Sequence, residues 1–283
     1  MRCLGVLSVL LCGVPAFEAA AHTATPGLSI PPGYQLVWSD EFETDGAPDS
    51  DKWSYDTFWN AKGWWNKEQQ YYTDARPKNA RVKDGNLIIE AHYEPVPKSE
   101  FPDTGGQEFT SARLYTRKKA SWLYGYMEIR AKLPCGNGLW PAIWTMPEGD
   151  HDWPDDGEID IMEYYGHQPT SFHATVHTLD RNHVNGRSVG SVHKTPTACG
   201  GFHTHSLHWT EDSITMSVDG TEYHRVMREG DDPAVWPFTR AHHLILNVAI
   251  RNWAGGDNGI DLDAFPARME VDYVRIYQKP DAS

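Results

Sequence analysis

Residues 124–133 alternate without a break. Gly125, Met127, Ile129, Ala131 and Leu133 fall on one side, and Tyr126, Glu128, Arg130 and Lys132 on the other. Side chains of a strand point alternately to its two faces, so this period of two specifies a half-buried β-strand. Other segments repeat the theme. Residues 81–91 place two β-prone runs around Asp84-Gly85, and residues 215–223 do the same around Asp219-Gly220, a hairpin signature. Residues 243–250 and 269–277 are further strand candidates, the second reaching almost to the C-terminus. Long helical patterns are missing, and residues 232–236 have room for one turn only. Many short strands, with turns drawn from 24 glycines and 19 prolines, predict an all-β fold of two packed antiparallel sheets. No composition break, linker or repeat divides it, so one domain is expected.

The beginning of the chain reads differently. Arg2 gives a positive start, residues 4–14 form an apolar run too short to cross a bilayer, and Ala19-Ala20-Ala21 offers small residues for cleavage. Residues 1–21 therefore read as a secretory signal peptide, residues 22–33 as a loose Pro- and Thr-containing leader, and residues 34–283 as the domain proper. The mature chain is expected to be exported, extracellular or periplasmic, to have no membrane span and to be a monomer. Removing the leader takes Cys3 and Cys12; export permits a disulfide between Cys135 and Cys199, and the sequence leaves that pairing open. The balance of 39 acidic against 25 basic residues gives a net charge of −14, the wrong sign for holding nucleic-acid phosphates. It weighs, less strongly, against a polyanionic polysaccharide. Twelve tryptophans on this acidic background suit a neutral ligand with flat apolar faces, such as a sugar, or else a core.

The most informative segment is Glu158-Ile159-Asp160-Ile161-Met162-Glu163, three carboxylates within six residues of a β-prone stretch. In a regular strand Glu158, Asp160 and Met162 share one face and Glu163 points to the other. A one-residue bulge at Ile161-Met162 returns Glu163 to the carboxylate face, and bulges commonly re-aim side chains beside active sites. Three acids on one face push their pKa values apart, which acid–base chemistry near neutral pH needs. Retaining glycosidases use two such carboxyls about 5–5.5 Å apart, one as nucleophile and one as acid/base. A calcium site and a solvated acidic strand are the alternatives from spacing alone.

Eight segments in order then give the chain a resemblance to glycoside hydrolase family 16, in the bulged form found in laminarinases. Besides the carboxylate run, they are Val37-Trp-Ser-Asp-Glu-Phe42, Asn66-Lys-Glu-Gln-Gln-Tyr-Tyr-Thr73 and Ser111-Ala-Arg-Leu-Tyr-Thr116. Residues 124–134, Gly138-Leu-Trp-Pro-Ala-Ile-Trp144, His173-Ala-Thr-Val-His177 and Val271-Asp-Tyr-Val-Arg-Ile-Tyr277 complete the set, which spans residues 34 to 278. The resemblance implies a concanavalin A-like β-jelly roll with a glycan cleft on the concave sheet. It implies Glu158 as nucleophile, Glu163 as acid/base, Asp160 as assisting carboxylate, and no cofactor for catalysis. It places Trp140, Trp144, His177, Asn66, Arg113 and Trp122 among the sugar contacts, although Arg113 also suits a simple pair with an acid. His173 is read as structural, and His203, His205 and His208 as strand residues rather than a zinc site. A structural calcium is implied at Asp272, with backbone carbonyls from Gly85 and Glu41. One departure stands out: Arg251-Asn252 precede Trp253 where relatives carry two glycines at the cleft rim.

The implied function is a secreted endo-β-1,3-glucanase acting on laminarin-type β-glucan with retention. Mixed-linkage β-1,3-1,4-glucanase and agarase-type hydrolase are the alternatives on the same fold. A non-catalytic β-glucan-recognition protein, which would lack the two glutamates, and a calcium-dependent lectin are alternatives of another class.

Overall fold

The computed structural model describes residues 30–280; the expected signal peptide and residues 22–29 of the leader lie outside the described residues. Seventeen strands run through the described part. The first eight are β1 Gln35–Asp40, β2 Ser54–Tyr55, β3 Gln70–Tyr72, β4 Ala80–Lys83, β5 Asn86–Tyr93, β6 Phe109–Ser111, β7 Arg113–Tyr115 and β8 Gly125–Lys132. Then come β9 Leu139–Pro147, β10 Glu158–Glu163, β11 Ser171–His177, β12 Val189–Lys194 and β13 Phe202–Trp209. The last are β14 Ser213–Val218, β15 Thr221–Met227, β16 His242–Ile250 and β17 Ala267–Gln278. Helical structure among the described residues is confined to short 3-10 turns.

The strands form two sheets. One has ten strands in the order β15-β14-β13-β8-β17-β5-β6-β3, with β1 added beside β17 and β4 beside β5. The other has seven, in the order β12-β11-β10-β9-β16-β7-β2. Pairing is antiparallel except where β3 runs parallel to β6. Both expected hairpins form, β4–β5 and β14–β15, and their Asp84-Gly85 and Asp219-Gly220 corners have positive φ at both residues. Those are the conformations that match a tight turn to the twist of its strands.

One apolar core lies between the sheets. Ile143, Ile159, Phe172, Leu244 and Leu246 of the seven-stranded sheet belong to the same buried cluster as Ile129, Leu207, Met216, Val271 and Ile276 of the other. Burying each such side chain contributes about 1.5–3 kcal/mol relative to leaving it in water. The alternation of β8 is present, with Met127, Ile129 and Ala131 in the core. Tyr126 and Glu128, on the expected solvent side, are nevertheless buried; the Tyr273 hydroxyl donates to Glu128 Oε1 at 2.8 Å and helps cover that face.

Trp122 departs from its expected role. Its ring is 6% exposed and packs edge-on against Trp38 at 5.3 Å, while its backbone bridges to His242. It is a core residue and not a sugar contact. Cys135 and Cys199 are paired, tying the loop after β8 to the one before β13. Nearby, Gly166 lies so close to the β8–β9 loop that an added Cβ would fall 1.9 Å from the Gly136 carbonyl oxygen. This close approach clamps the segment after β10 beside the cleft rim.

Candidate active site

β10 lies inside the seven-stranded sheet, between β9 and β11. Its pairing with β9 steps from Asp160↔Trp144 to Met162↔Ile143, and with β11 from Asp160↔Thr175 to Glu163↔His173. One extra residue is therefore accommodated between Asp160 and Glu163. Ile161 and Met162 both enter the core at 0% exposure. Glu158, Asp160 and Glu163 consequently share the outer face, as the bulge required.

Their neighbours are polar and close. His177 Nε2 stands 3.2 Å from Asp160 Oδ2 and 3.8 Å from Glu158 Oε1. Trp140 donates its indole N–H to Glu163 Oε1 at 3.0 Å, and the Tyr165 hydroxyl also bonds Glu163. Asp160 and Glu163 are buried, while the Glu158 side chain keeps 16% exposure. Burial raises all three carboxyls above the usual range. The Asp160 charge adds to the rise at Glu158, and the Glu163 charge to that at Asp160. At Glu163, His177, Tyr165 and Trp140 offset part of it. A buried trio of this kind shares protons at a pH where free carboxyls are bare.

The same outer face continues across β9, β16 and β7. Trp140 and Trp144, four apart on β9, both lie half-buried there. Trp144 donates its indole N–H to Asn247 Oδ1 at 2.8 Å, and Asn247 donates to the Tyr72 hydroxyl at 3.1 Å. Arg113 pairs with Asp56 at 3.0 Å, and its guanidinium lies 4.6 Å from the Trp144 ring and 4.9 Å from Trp64. Both readings of Arg113 thus meet: it has an acidic partner and still lines the face. Asn66 occupies an exposed 3-10 turn, Trp65–Lys67, with positive φ, and no hydrogen bond joins it to the carboxylates.

The pattern of glycosyl hydrolases family 16 matches residues 66–275. The chain belongs to glycosyl hydrolase family 16. It is 49% identical over 256 residues to a beta-glucanase of Rhodothermus marinus, covering 87% of this chain and 86% of that protein. Among solved structures, SCLam, a non-specific endo-beta-1,3(4)-glucanase, is 50% identical with a TM-score of 0.85 over 90% of this chain and 94% of that one. The laminarinase of Rhodothermus marinus is 47% identical with a TM-score of 0.80, over 88% and 98% of the two chains. Their fold is the jelly roll expected here, and the protein is a glycoside hydrolase.

Several residues around the site of this family 16 hydrolase were not legible beforehand. Tyr165 and Trp253 close one end: Trp253, 48% exposed, lies 4.6 Å from Tyr165 and 5.9 Å from Trp140. The guanidinium of Arg251 stands 5.2 Å from Trp253 and 5.9 Å from Trp140, so its side chain reaches the cleft wall. Near the other acids, Trp153 approaches His177 at 6.0 Å and His183 at 5.1 Å. These residues lie in loops, where periodicity carries no signal; only Arg251 and Trp253 were marked in the sequence, by the Arg251-Asn252-Trp253 departure.

Of the other histidines considered above, His173, His203 and His208 have hydrogen-bond partners and His205 is packed in the interior. His173 meets Gln168 Oε1 at 2.9 Å, and burial pulls it down to about 4, so it is neutral in the working range. His203 Nδ1 lies 2.6 Å from Asp219 Oδ2, His205 is fully buried, and His208 bonds the Tyr34 hydroxyl. Among the described residues only Glu158, Asp160 and His177 bring three metal-ligating side chains together, and no zinc set forms on β13. Of the expected calcium ligands, the Asp272 carboxylate is taken by the Arg130 guanidinium. Glu41 and Gly85, expected to offer backbone carbonyls, follow β1 and form the β4–β5 corner respectively.

Proposed function

We propose that this family 16 hydrolase is a secreted endo-β-1,3-glucanase that cleaves laminarin-type β-glucan with retention of configuration. The observation that carries this reading is the bulged β10, which sets Glu158, Asp160 and Glu163 on one face beside Trp140 and Trp144. The ionised Glu158 attacks the anomeric carbon while Glu163 protonates the departing glycosidic oxygen, leaving a glycosyl ester on Glu158. Glu163, now a base, takes a proton from water as its oxygen attacks that carbon, and Glu158 leaves as carboxylate. Asp160 and His177 hold Glu158 in place, and the Trp140 N–H steadies Glu163 when it is charged. Trp140 and Trp144 offer indole faces to neutral sugar rings, with Arg113 and Asn247 as polar partners.

The similarity to a non-specific endo-beta-1,3(4)-glucanase favours mixed-linkage glucan as the second substrate. The presence of both glutamates argues against a recognition protein that binds without cleaving. Export is supported by Arg2, the apolar run and Ala19-Ala20-Ala21, and by the Cys135–Cys199 bridge, which belongs in an oxidising compartment. Catalysis takes no cofactor in this scheme, and the active unit is a single chain.

The test is reducing-end release from laminarin, lichenan, agarose and carrageenan side by side, with wild type and Glu158→Ala. Greatest release from laminarin, abolished by the substitution, is expected. Binding without release sinks the enzyme reading, and equal or greater release from agarose sinks the substrate.

A further inference from the structure

We propose that Phe58, Trp59 and Trp65 carry a second glucan-binding platform outside the catalytic cleft, which anchors a distant part of a long chain. This rests on the reading that the substrate is a neutral β-glucan. Phe58 is 82% exposed, more than any other large apolar side chain among the described residues, and Trp65 is 58% exposed. Trp59 lies between them, 5.5 Å from the Phe58 ring and 4.4 Å from Trp65. Two exposed rings bridged by the half-buried Trp59, which Lys62 covers at 4.5 Å, form a patch that a stable fold gains nothing by exposing.

The patch is built on a fixed base. Buried Asn60 donates to the Tyr72 carbonyl at 2.7 Å and accepts from the Trp64 indole and the Tyr72 amide, both at 3.0 Å. Gln107 donates to the Asn60 carbonyl at 2.9 Å. Beside the rings a groove of about 370 Å³ is lined by Lys62, Gly63, Glu68, Gln69 and Gln107 among others. Flat apolar faces beside hydrogen-bonding side chains are what a sugar ring requires, and a flexible peptide or lipid does not need that combination.

The occupant follows from continuity. Trp65 is 6.4 Å from Trp64, a buried ring that faces the Arg113 guanidinium, which in turn lies against Trp144 in the cleft. The patch therefore sits behind the Arg113–Trp144 wall of the cleft, where a glucan chain too long for the cleft can meet it.

The experiment is the double variant Phe58→Ala/Trp65→Ala in the full chain, two exposed positions outside the proposed catalytic machinery. For laminarin polymer KM is expected to rise about tenfold, since each lost ring removes a stacking contact; kcat/KM on a laminari-oligosaccharide of three or four units stays unchanged. In the Glu158→Gln background, the pair should also lower the fraction bound to insoluble β-1,3-glucan. Equal loss on polymer and oligosaccharide, or no loss on either, overturns the platform. So does a shift from dimer to monomer in sedimentation with polymer binding intact, which would make the patch a self-association surface. If wild type releases sugar from neither glucan, the activity reading falls separately. The pull-down then decides the platform, and an unchanged bound fraction overturns it.

Discussion

Replacing Asp160 by Asn removes one charge from the buried trio and keeps its size. The ligand atoms of Glu158, Asp160 and His177 lie within 4.8 Å of one another. At that separation two full charges repel by about 3.5 kcal/mol at an effective dielectric near 20, or about 2.5 pKa units. Asp160 carries only part of a charge, because burial and the Glu163 carboxylate raise its own carboxyl. The Glu158 pKa is therefore expected to fall when the Asp160 charge is removed, while the larger effect of burial stays in place. The sign is fixed by the chemistry: the nucleophile must be ionised, so rate falls as pH drops through the Glu158 pKa. With the Asp160 charge gone, the acidic limb of kcat/KM on laminarin moves to lower pH. The assay is reducing-sugar release across pH 3–8 for wild type and Asp160→Asn. A limb that stays put, or moves upward, refutes the idea that Asp160 tunes Glu158 by charge.

Trp140→Phe keeps an aromatic face but removes the N–H on Glu163; kcat should fall about 10- to 100-fold with a smaller change in KM. If KM alone moves, Trp140 serves binding only. Reducing the Cys135–Cys199 bridge, or replacing both cysteines by Ser, frees a link across 64 residues and should cost about 2–4 kcal/mol, read as a lower Tm. An unchanged Tm would mean the unfolded chain gains nothing from the loss. Chelation with EDTA should leave both activity and Tm unchanged, because Asp272 is held by Arg130. A drop in Tm restored by calcium would reinstate the cation site.

The fold was readable wherever one face meets water and the other meets the core. Met127, Ile129 and Ala131 declare β8 by alternation, and Asp84-Gly85 and Asp219-Gly220 declare their hairpins by the backbone conformations they permit. The bulge was readable for the same reason: Ile161 and Met162 are both apolar, so both must face the core, and Glu163 is left on the outer face. Trp122 was misplaced because a tryptophan just ahead of a strand satisfies a sugar face and a core equally well. Its partner Trp38 is distant in sequence and decides the matter only after β1 has docked. Tyr165, Arg251 and Trp153 reach the site through loops whose courses depend on tertiary contacts, such as Gly166 against Gly136. The carboxylate pairings of Asp272 and His203 likewise join residues that no local spacing connects.

The central claim is that Glu158 and Glu163 work as the two carboxyls of a double displacement. Proton NMR of the first sugars released from laminarin tests it most directly, by following the anomeric signals before mutarotation. Two inversions at one carbon predict that the β-anomer appears first and the α-anomer grows in afterwards; an α-anomer formed first would contradict the account.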